Sequence, residues 1–243
     1  PWQGLALSDS TALEKTAKFE KTLCLNGSAT QFKDAYNHGL VFTGPMLDFG
    51  FGITPTEGDF KWFYQAGLSA GVAFSRQMPA YAIGFMPLYG GADYLLHFHN
   101  THRLRLRLAV SMAFHWQMYP FLHNPHLFYQ TEIPLWFGIN YAFHSPYGVF
   151  EAEAAFSVFG FHASTSGNEP YFYRLDFHEF VGKPLQELRF GFPNRYIHVL
   201  GAILYRPTAL PQHAFGISVE YIGFTHTRRY QNLSYSLSWK KSF

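Results

Sequence analysis

The sequence predicts a closed antiparallel transmembrane β-barrel of about twelve strands with a short N-terminal extension, and three observations carry that expectation. The first is the stretch RLRLRLAVSMAFHWQM at 103–118. Leu104, Leu106, Leu108, Val110, Met112, Phe114, Trp116 and Met118 share one parity, and Arg103, Arg105, Arg107, Ala109, Ser111, Ala113, His115 and Gln117 share the other. Strict alternation is the signature of a strand. At about 3.3 Å per residue this one is far longer than a small soluble sheet needs. The second observation is composition. Of 243 residues 20% are aromatic and 14% charged, against an ordinary charged share of about 25%. Mean hydropathy is nonetheless near zero, at −0.08. A chain apolar at every second residue and neutral on average matches barrel strands. The third is recurrence: the same alternation returns along the chain between short polar links.

Helical membrane spans are excluded by the residues themselves. Positions 133–150 contain no Asp, Glu, Lys or Arg, but they carry Pro134, Asn140, His144, Pro146 and Gly148, which no continuous helix accommodates. Cys24 is the single cysteine, so an internal disulfide and a cysteine-cluster zinc site are both excluded. It also lacks the apolar run that precedes a lipoprotein cysteine. A net charge of +2 with dispersed basic residues gives no nucleic-acid footprint. The first residues show no charged-then-apolar leader, so any signal peptide is expected to have been removed or to lie outside this sequence.

Residues 1–45 read as an N-terminal extension outside the bilayer, on the periplasmic side. DSTALEKTAKFEKTL suits a short helix started by Ser10 or Thr11, and NGSATQFKDAYNHG suits a loop; a strand around Phe19 to Leu25 is the lesser alternative. The barrel proper is expected over 46–243. LDFGFGI sets Leu47, Phe49, Phe51 and Ile53 opposite Asp48, Gly50 and Gly52. WFYQAGLSAGVAFS follows with the same period. Two shorter strands, 80–88 and 92–99, flank YGGAD, read as a turn. After 103–118 come 127–144, with Ile133, Leu135, Phe137, Ile139, Tyr141 and Phe143 toward lipid, and 149–160, with Phe150, Ala152, Ala154, Phe156 and Val158 opposite Glu151 and Glu153. Segments 171–181, 187–193, 197–205, 213–224 and 232–243 complete the set, and ten or fourteen strands remain open alternatives. If the last strand ends in the periplasm, RQMP, NTH, HSPYG, VGKPLQ and RPTALPQ fall on that side. TPTEGD, PFLHNPH, FHASTSGNEP and THTRRYQ then fall outside.

The C-terminal strand NLSYSLSWKKSF places Leu233, Tyr235, Leu237, Trp239 and Phe243 on one parity and ends in phenylalanine. This resembles the final strand of bacterial outer-membrane β-barrel proteins. The resemblance implies that these five residues form the signal read by the barrel-assembly machinery, and that the protein resides in the bacterial outer membrane. It departs from the pattern at Lys241, where an aromatic is more usual. It covers 46–243 as a class and singles out no individual family. Outer-membrane lipid, lipopolysaccharide and other outer-membrane proteins are the partners it implies, with no nucleic acid and no cofactor.

Energetics choose the face that meets lipid. An arginine on the outer surface at the bilayer midplane costs about 2–4 kcal/mol, so Arg103, Arg105 and Arg107 point inward, as do Glu151 and Glu153. Opposed charge rows across a narrow lumen either pair and brace the barrel or form the constriction of a pore. Bulky inward residues such as Phe63 and Trp136 favour a filled lumen. HFHNTH at 97–102 has two histidines on one face but no carboxylate at a telling spacing, so no metal site is expected. His162 and Ser164 stand two apart in GFHASTSGN, on the lipid-facing parity if no bulge intervenes. The pair resembles the His-x-Ser arrangement of barrel lipid hydrolases, the outer-membrane phospholipase and the lipid A deacylase, in which His activates Ser. It departs from them at Thr165, where those families usually have Asn, and no acidic partner is assignable. The expected function is a small, largely plugged, non-catalytic barrel acting as scaffold or accessory subunit of an envelope complex. A lipid hydrolase using His162 and Ser164 is the alternative, and a narrow channel the second alternative.

Overall fold

A computed structural model describes residues 19–34, 40–55, 58–76, 78–99, 101–120, 126–164, 185, 188–191, 195–225 and 229–243. They form eleven strands: β1 (Phe19–Asp34), β2 (Val41–Pro55), β3 (Phe60–Ser75), β4 (Met78–His99), β5 (His102–Tyr119), β6 (His126–Ser145), β7 (Gly148–Ser164), β8 (Arg189–Gly191), β9 (Tyr196–Pro207), β10 (His213–Thr225) and β11 (Arg229–Ser242). Every pairing is antiparallel and, apart from β7 with β9, joins chain neighbours, and β1 pairs with β11 to close the ring. Strands β8 and β9 lie end to end beside β7, pairing with Gly160–His162 and with Gly148–Ser157 respectively. Ten positions therefore make the wall. Closure through β1 and β11 pairs the two ends of the sheet, the condition for a sheet to live in hydrocarbon.

The alternation sorts the faces as expected. Leu47, Phe49, Leu68, Ile83, Leu106, Leu108, Ile139, Phe156, Ile203, Ile217, Tyr235 and Leu237 are exposed on the outer surface. Trp136 and Phe63 are buried in the lumen. One outer patch departs from this. Phe114 and Trp116 are buried, clustered with Tyr129 and Ala163, and Met112 and Leu188 pack against them. Leu188 enters directly before β8 and places protein rather than lipid over this part of β5–β7.

Three expectations need correction. Residues 19–34 are not an extension: they form β1, in register with β2 from Phe19 to Lys33 and with β11 from Thr22 to Asp34. The outward positions of β1 include Lys21, Gly27, Gln31 and Lys33, so its apolar alternation is weak. Neighbouring strands hold it instead: Thr30 Oγ1 donates to Asn232 Oδ1 at 2.8 Å, and Ser234 Oγ donates to Thr30 Oγ1 at 3.0 Å. The helix expected from Ser10 or Thr11 lies partly outside the described residues, and its end, from Phe19 on, is strand. Strand β2 likewise begins at Val41, ahead of the expected barrel start.

The turn at YGGAD is also absent. Residues 78–99 form one strand with register shifts between Phe85 and Leu88 and between Leu95 and His97. Its glycines serve close approach rather than a turn: a Cβ on Gly91 would lie 2.1 Å from the Leu108 carbonyl oxygen and 2.5 Å from Ala109 Cα. Removing this turn exchanges the ends of everything upstream, which is the third correction. RQMP lies at the end remote from Phe19 and Phe243, while the β2–β3 connection holding TPTEGD lies at the same end as those two residues, with NTH, HSPYG and RPTALPQ. With short turns on the periplasmic side, the end bearing Phe19 and Phe243 is the periplasmic one. The segments 171–181 and, apart from Leu185, VGKPLQ lie outside the described residues.

Candidate functional site in the barrel lumen

Inward side chains stack in layers from the periplasmic mouth upward. On β5 the registers Arg107 with Asp93 and Arg107 with Gly138 set one row. Arg107 grips Asp93 with a two-pronged contact, Nε to Oδ1 at 2.7 Å and Nη2 to Oδ2 at 2.9 Å, the fork geometry that suits a carboxylate. Its Nη1 donates to Glu153 Oε1, and its Cζ sits 4.5 Å from the centre of the Phe63 ring. Gly138, its neighbour on β6, lies close to β7: a Cβ there would stand 3.0 Å from Ala155 Cβ and 3.1 Å from the Ala154 carbonyl oxygen. Of the five residues in the expected charge rows, the structure brings Arg107 and Glu153 together. Arg105 aligns with Asn140 and, through it, with Glu153, yet the Glu153 carboxylate turns to Arg107. Arg105 Nη1 is buried with no hydrogen-bond partner. Arg103 is exposed nearer the mouth, in the row of Ala142 and Glu151.

Above the Arg107 knot lies an aromatic layer of Phe63, Tyr89 and Trp136 with Ala109, Ala155 and Leu200. Tyr89 meets Phe63 edge-on at 5.2 Å and Trp136 at 6.2 Å, and Trp136 Nε1 donates to Ser111 Oγ at 2.9 Å. One layer higher, His198 is held between two carboxylates: its Nε2 is 2.7 Å from Glu220 Oε1 and its Nδ1 is 3.5 Å from Glu132 Oε2. The hydroxyl of Tyr196 donates to Glu132 Oε2 at 3.0 Å, and His115 Nε2 stands 3.6 Å from Glu132 Oε1. Glu132 is buried but surrounded by donors, as a charge inside a protein must be. Beside this cluster a polar cavity of about 90 Å3, lined by Ser28, Thr30, Asp48, His115, Gln117 and Glu220 among others, has room for a few water molecules. A second aromatic layer caps it: Phe32, Phe42, Tyr119, Tyr196, Phe224 and Tyr230 are buried together, with Phe32 stacked on Phe42 at 5.4 Å.

His162 belongs to that upper layer. A register shift between Leu135 and Phe137, opposite Phe159 and Phe156, reverses the parity of β7. His162 therefore faces the lumen rather than lipid, which corrects the expected orientation. Its ring stacks on Tyr196 at 6.0 Å and lies 5.2 Å from Phe224, and its cross-strand neighbour is Glu132. Ser164 pairs through its backbone with Gln130. At the mouth, His99 and His102 form the last cross-strand pair of β4 and β5. No group of three or more His, Cys, Asp or Glu suited to a metal ion occurs among the described residues. Tyr235 and Leu237 of β11 and Phe243 just after it are exposed; Phe243 exchanges backbone hydrogen bonds with Lys21, and Lys241 Nζ sits 5.0 Å from the centre of the Phe243 ring.

Sequence reasoning missed Asp93, Tyr89, Glu132, His198 and Glu220. Asp93 and Tyr89 were hidden by the false turn. Glu132 had a usable signal, a single carboxylate at an inward position of the aromatic strand HLFYQTEIPLW.

No protein-family model matches the sequence, and no curated protein matches it. Solved structures do. The chain is similar to the outer membrane protease OmpT from Escherichia coli, with a TM-score of 0.56 and 7% identity over 93% of this chain and 96% of the other. It is also similar to the translocator domain of the autotransporter NalP from Neisseria meningitidis, with a TM-score of 0.51 and 7% identity over 93% and 89%. The fold is that of bacterial outer-membrane β-barrels. Together with the apolar outer belt, it supports a location in the outer membrane of a Gram-negative envelope.

Proposed function

We propose that the protein is a plugged, non-catalytic outer-membrane barrel that serves as a scaffold or accessory subunit of an envelope complex. The observation that carries this reading is the filled lumen. Two aromatic layers and the Arg107–Asp93–Glu153 knot occupy the bore in succession, in keeping with small barrels whose interior is occupied by side chains. A continuous water path, which a channel needs, meets packed rings at two levels. The inward turn of His162 into the upper aromatic layer supports the scaffold over a lipid hydrolase, whose histidine needs access to the membrane rim. His198 has both ring nitrogens directed at carboxylates, an arrangement that braces β6, β9 and β10 to one another.

Purification from native membranes in mild detergent tests the proposal. A stoichiometric companion protein, retained through a second chromatography step, is the expected result; recovery of the barrel alone overturns it.

A further inference from the structure

Building on the scaffold reading, we infer that the periplasmic mouth of the lumen is a docking site for an acidic polypeptide segment of a partner, with Arg105 as its principal anchor. The register places the basic side chains Lys61, Arg103, Arg105, Arg107, Arg206 and Lys240 on inward positions of the periplasmic half, against the carboxylates of Glu20, Asp93, Glu151 and Glu153. Three of those carboxylates are already engaged. Arg107 holds Asp93 and Glu153, and Arg206 Nη1 lies 3.2 Å from Glu20 Oε1. The mouth is thus basic, while the compartment above the knot holds Asp48, Glu132 and Glu220 and has neither Lys nor Arg among its lining residues.

Arg105 makes this more than a tally. Its cross-strand neighbour on β6 is the neutral Asn140, and the carboxylate one strand further is taken by Arg107. Its Nη1 is buried without a partner. A buried guanidinium donor left unpaired is costly, and an incoming carboxylate removes that cost. Lys61 stands within electrostatic range of Arg105 and Arg103 as well as of Glu20 and Asp93, and Arg103 is exposed at the entrance. From the periplasmic end the inward rows of β5 run Arg103, then Arg105, then Arg107 beside the Phe63 ring, so a chain entering there meets Arg103 and Arg105 before the Arg107 layer. The position of the mouth inside the ring, away from the outer apolar belt, favours a polypeptide over a lipid headgroup. Planar guanidinium forks match side-chain carboxylates.

The test uses the full chain folded in detergent micelles and fluorescein-labelled hexaglutamate as the probe, read by fluorescence anisotropy at low ionic strength. Saturable binding that weakens steadily with added salt is expected, with hexaglutamine not bound. Arg105→Gln, verified as folded by its heat-modifiable migration, is expected to weaken binding roughly tenfold. Arg103→Gln weakens it less, and Arg76→Gln at the opposite rim leaves it unchanged. Absence of saturable binding, equal binding of hexaglutamine, or equal affinity in Arg105→Gln overturns the inference. The same variants in the native-membrane purification separate the two claims. If wild type returns no companion, the scaffold reading fails irrespective of the peptide result. If a companion returns equally with Arg105→Gln and the peptide does not bind, the mouth proposal fails and the scaffold stands.

Discussion

Replacing Arg107 by Met removes the group on which the middle of the lumen is organised. The side chains of Arg107, Asp93 and Glu153 are 10, 13 and 15% exposed, close to full burial. Removing one partner of a buried pair costs about 3–5 kcal/mol, because the other charge is left uncompensated. Here one cation serves two carboxylates. The loss of the contact over Phe63 adds about 0.5–2 kcal/mol, while protonation of the bared carboxylates offsets part of the damage. The net expectation is a loss of about 4 kcal/mol. Equilibrium unfolding in guanidinium, with the barrel refolded in phospholipid vesicles and followed by tryptophan emission, measures it. A companion variant combining Arg107→Met with Asp93→Asn and Glu153→Gln leaves no buried charge, and it is expected to recover most of the loss. A single variant costing under about 1 kcal/mol, or a triple variant as unstable as the single one, refutes the claim that the knot is a desolvated, mutually dependent charge cluster.

Other expectations follow from the same geometry. Leu108→Arg, on the outer face near the middle of β5, is expected to destabilise the vesicle-embedded barrel by about 2–4 kcal/mol, measured by the same unfolding assay. Gly91→Val forces a Cβ against the β5 backbone, whereas Gly27→Ala meets nothing within 4 Å; refolding yield on cold gels is expected to collapse for the first and stay at wild-type level for the second. Trp136→Ala empties part of the lower aromatic layer, for a loss of about 3–5 kcal/mol in thermal or denaturant unfolding. Ser164→Ala is expected to leave lipid A and phospholipid profiles unaltered by mass spectrometry; a changed profile would favour the hydrolase.

Much of the wall was legible because barrel strands record their environment at every second residue. From Leu104 to Val110 the alternation gave the strand, and energetics gave its lipid face, since turning Arg105 outward is costly and turning Leu106 inward wastes its apolar surface. Legibility failed where that record is weak. Strand β1 presents Lys21, Gly27 and Gln31 outward, and its place in the ring rests on pairing with β2 and β11 and on the inward Phe32 stacked on Phe42. Gly90 and Gly91 look like a turn in one dimension, but at Gly91 the β5 backbone passes too close for a Cβ. The bulge in β7 inverted the parity of His162, and nothing local in the sequence announces it. The lumen was half legible: the inward arginines and glutamates could be named, but pairing depends on reach across the bore. Arg107 rather than Arg105 takes Glu153, a choice that needs three strands in register before it can be seen.

Planar-bilayer recording of the folded, inserted wild-type barrel tests the closed lumen most directly. With insertion verified by protease protection of the reconstituted protein, the membrane is expected to stay electrically silent at both polarities. Reproducible discrete openings of the wild-type protein would contradict a bore filled by Phe63, Trp136, Arg107 and the Phe32–Phe42 layer, and with it the scaffold reading built on that filling.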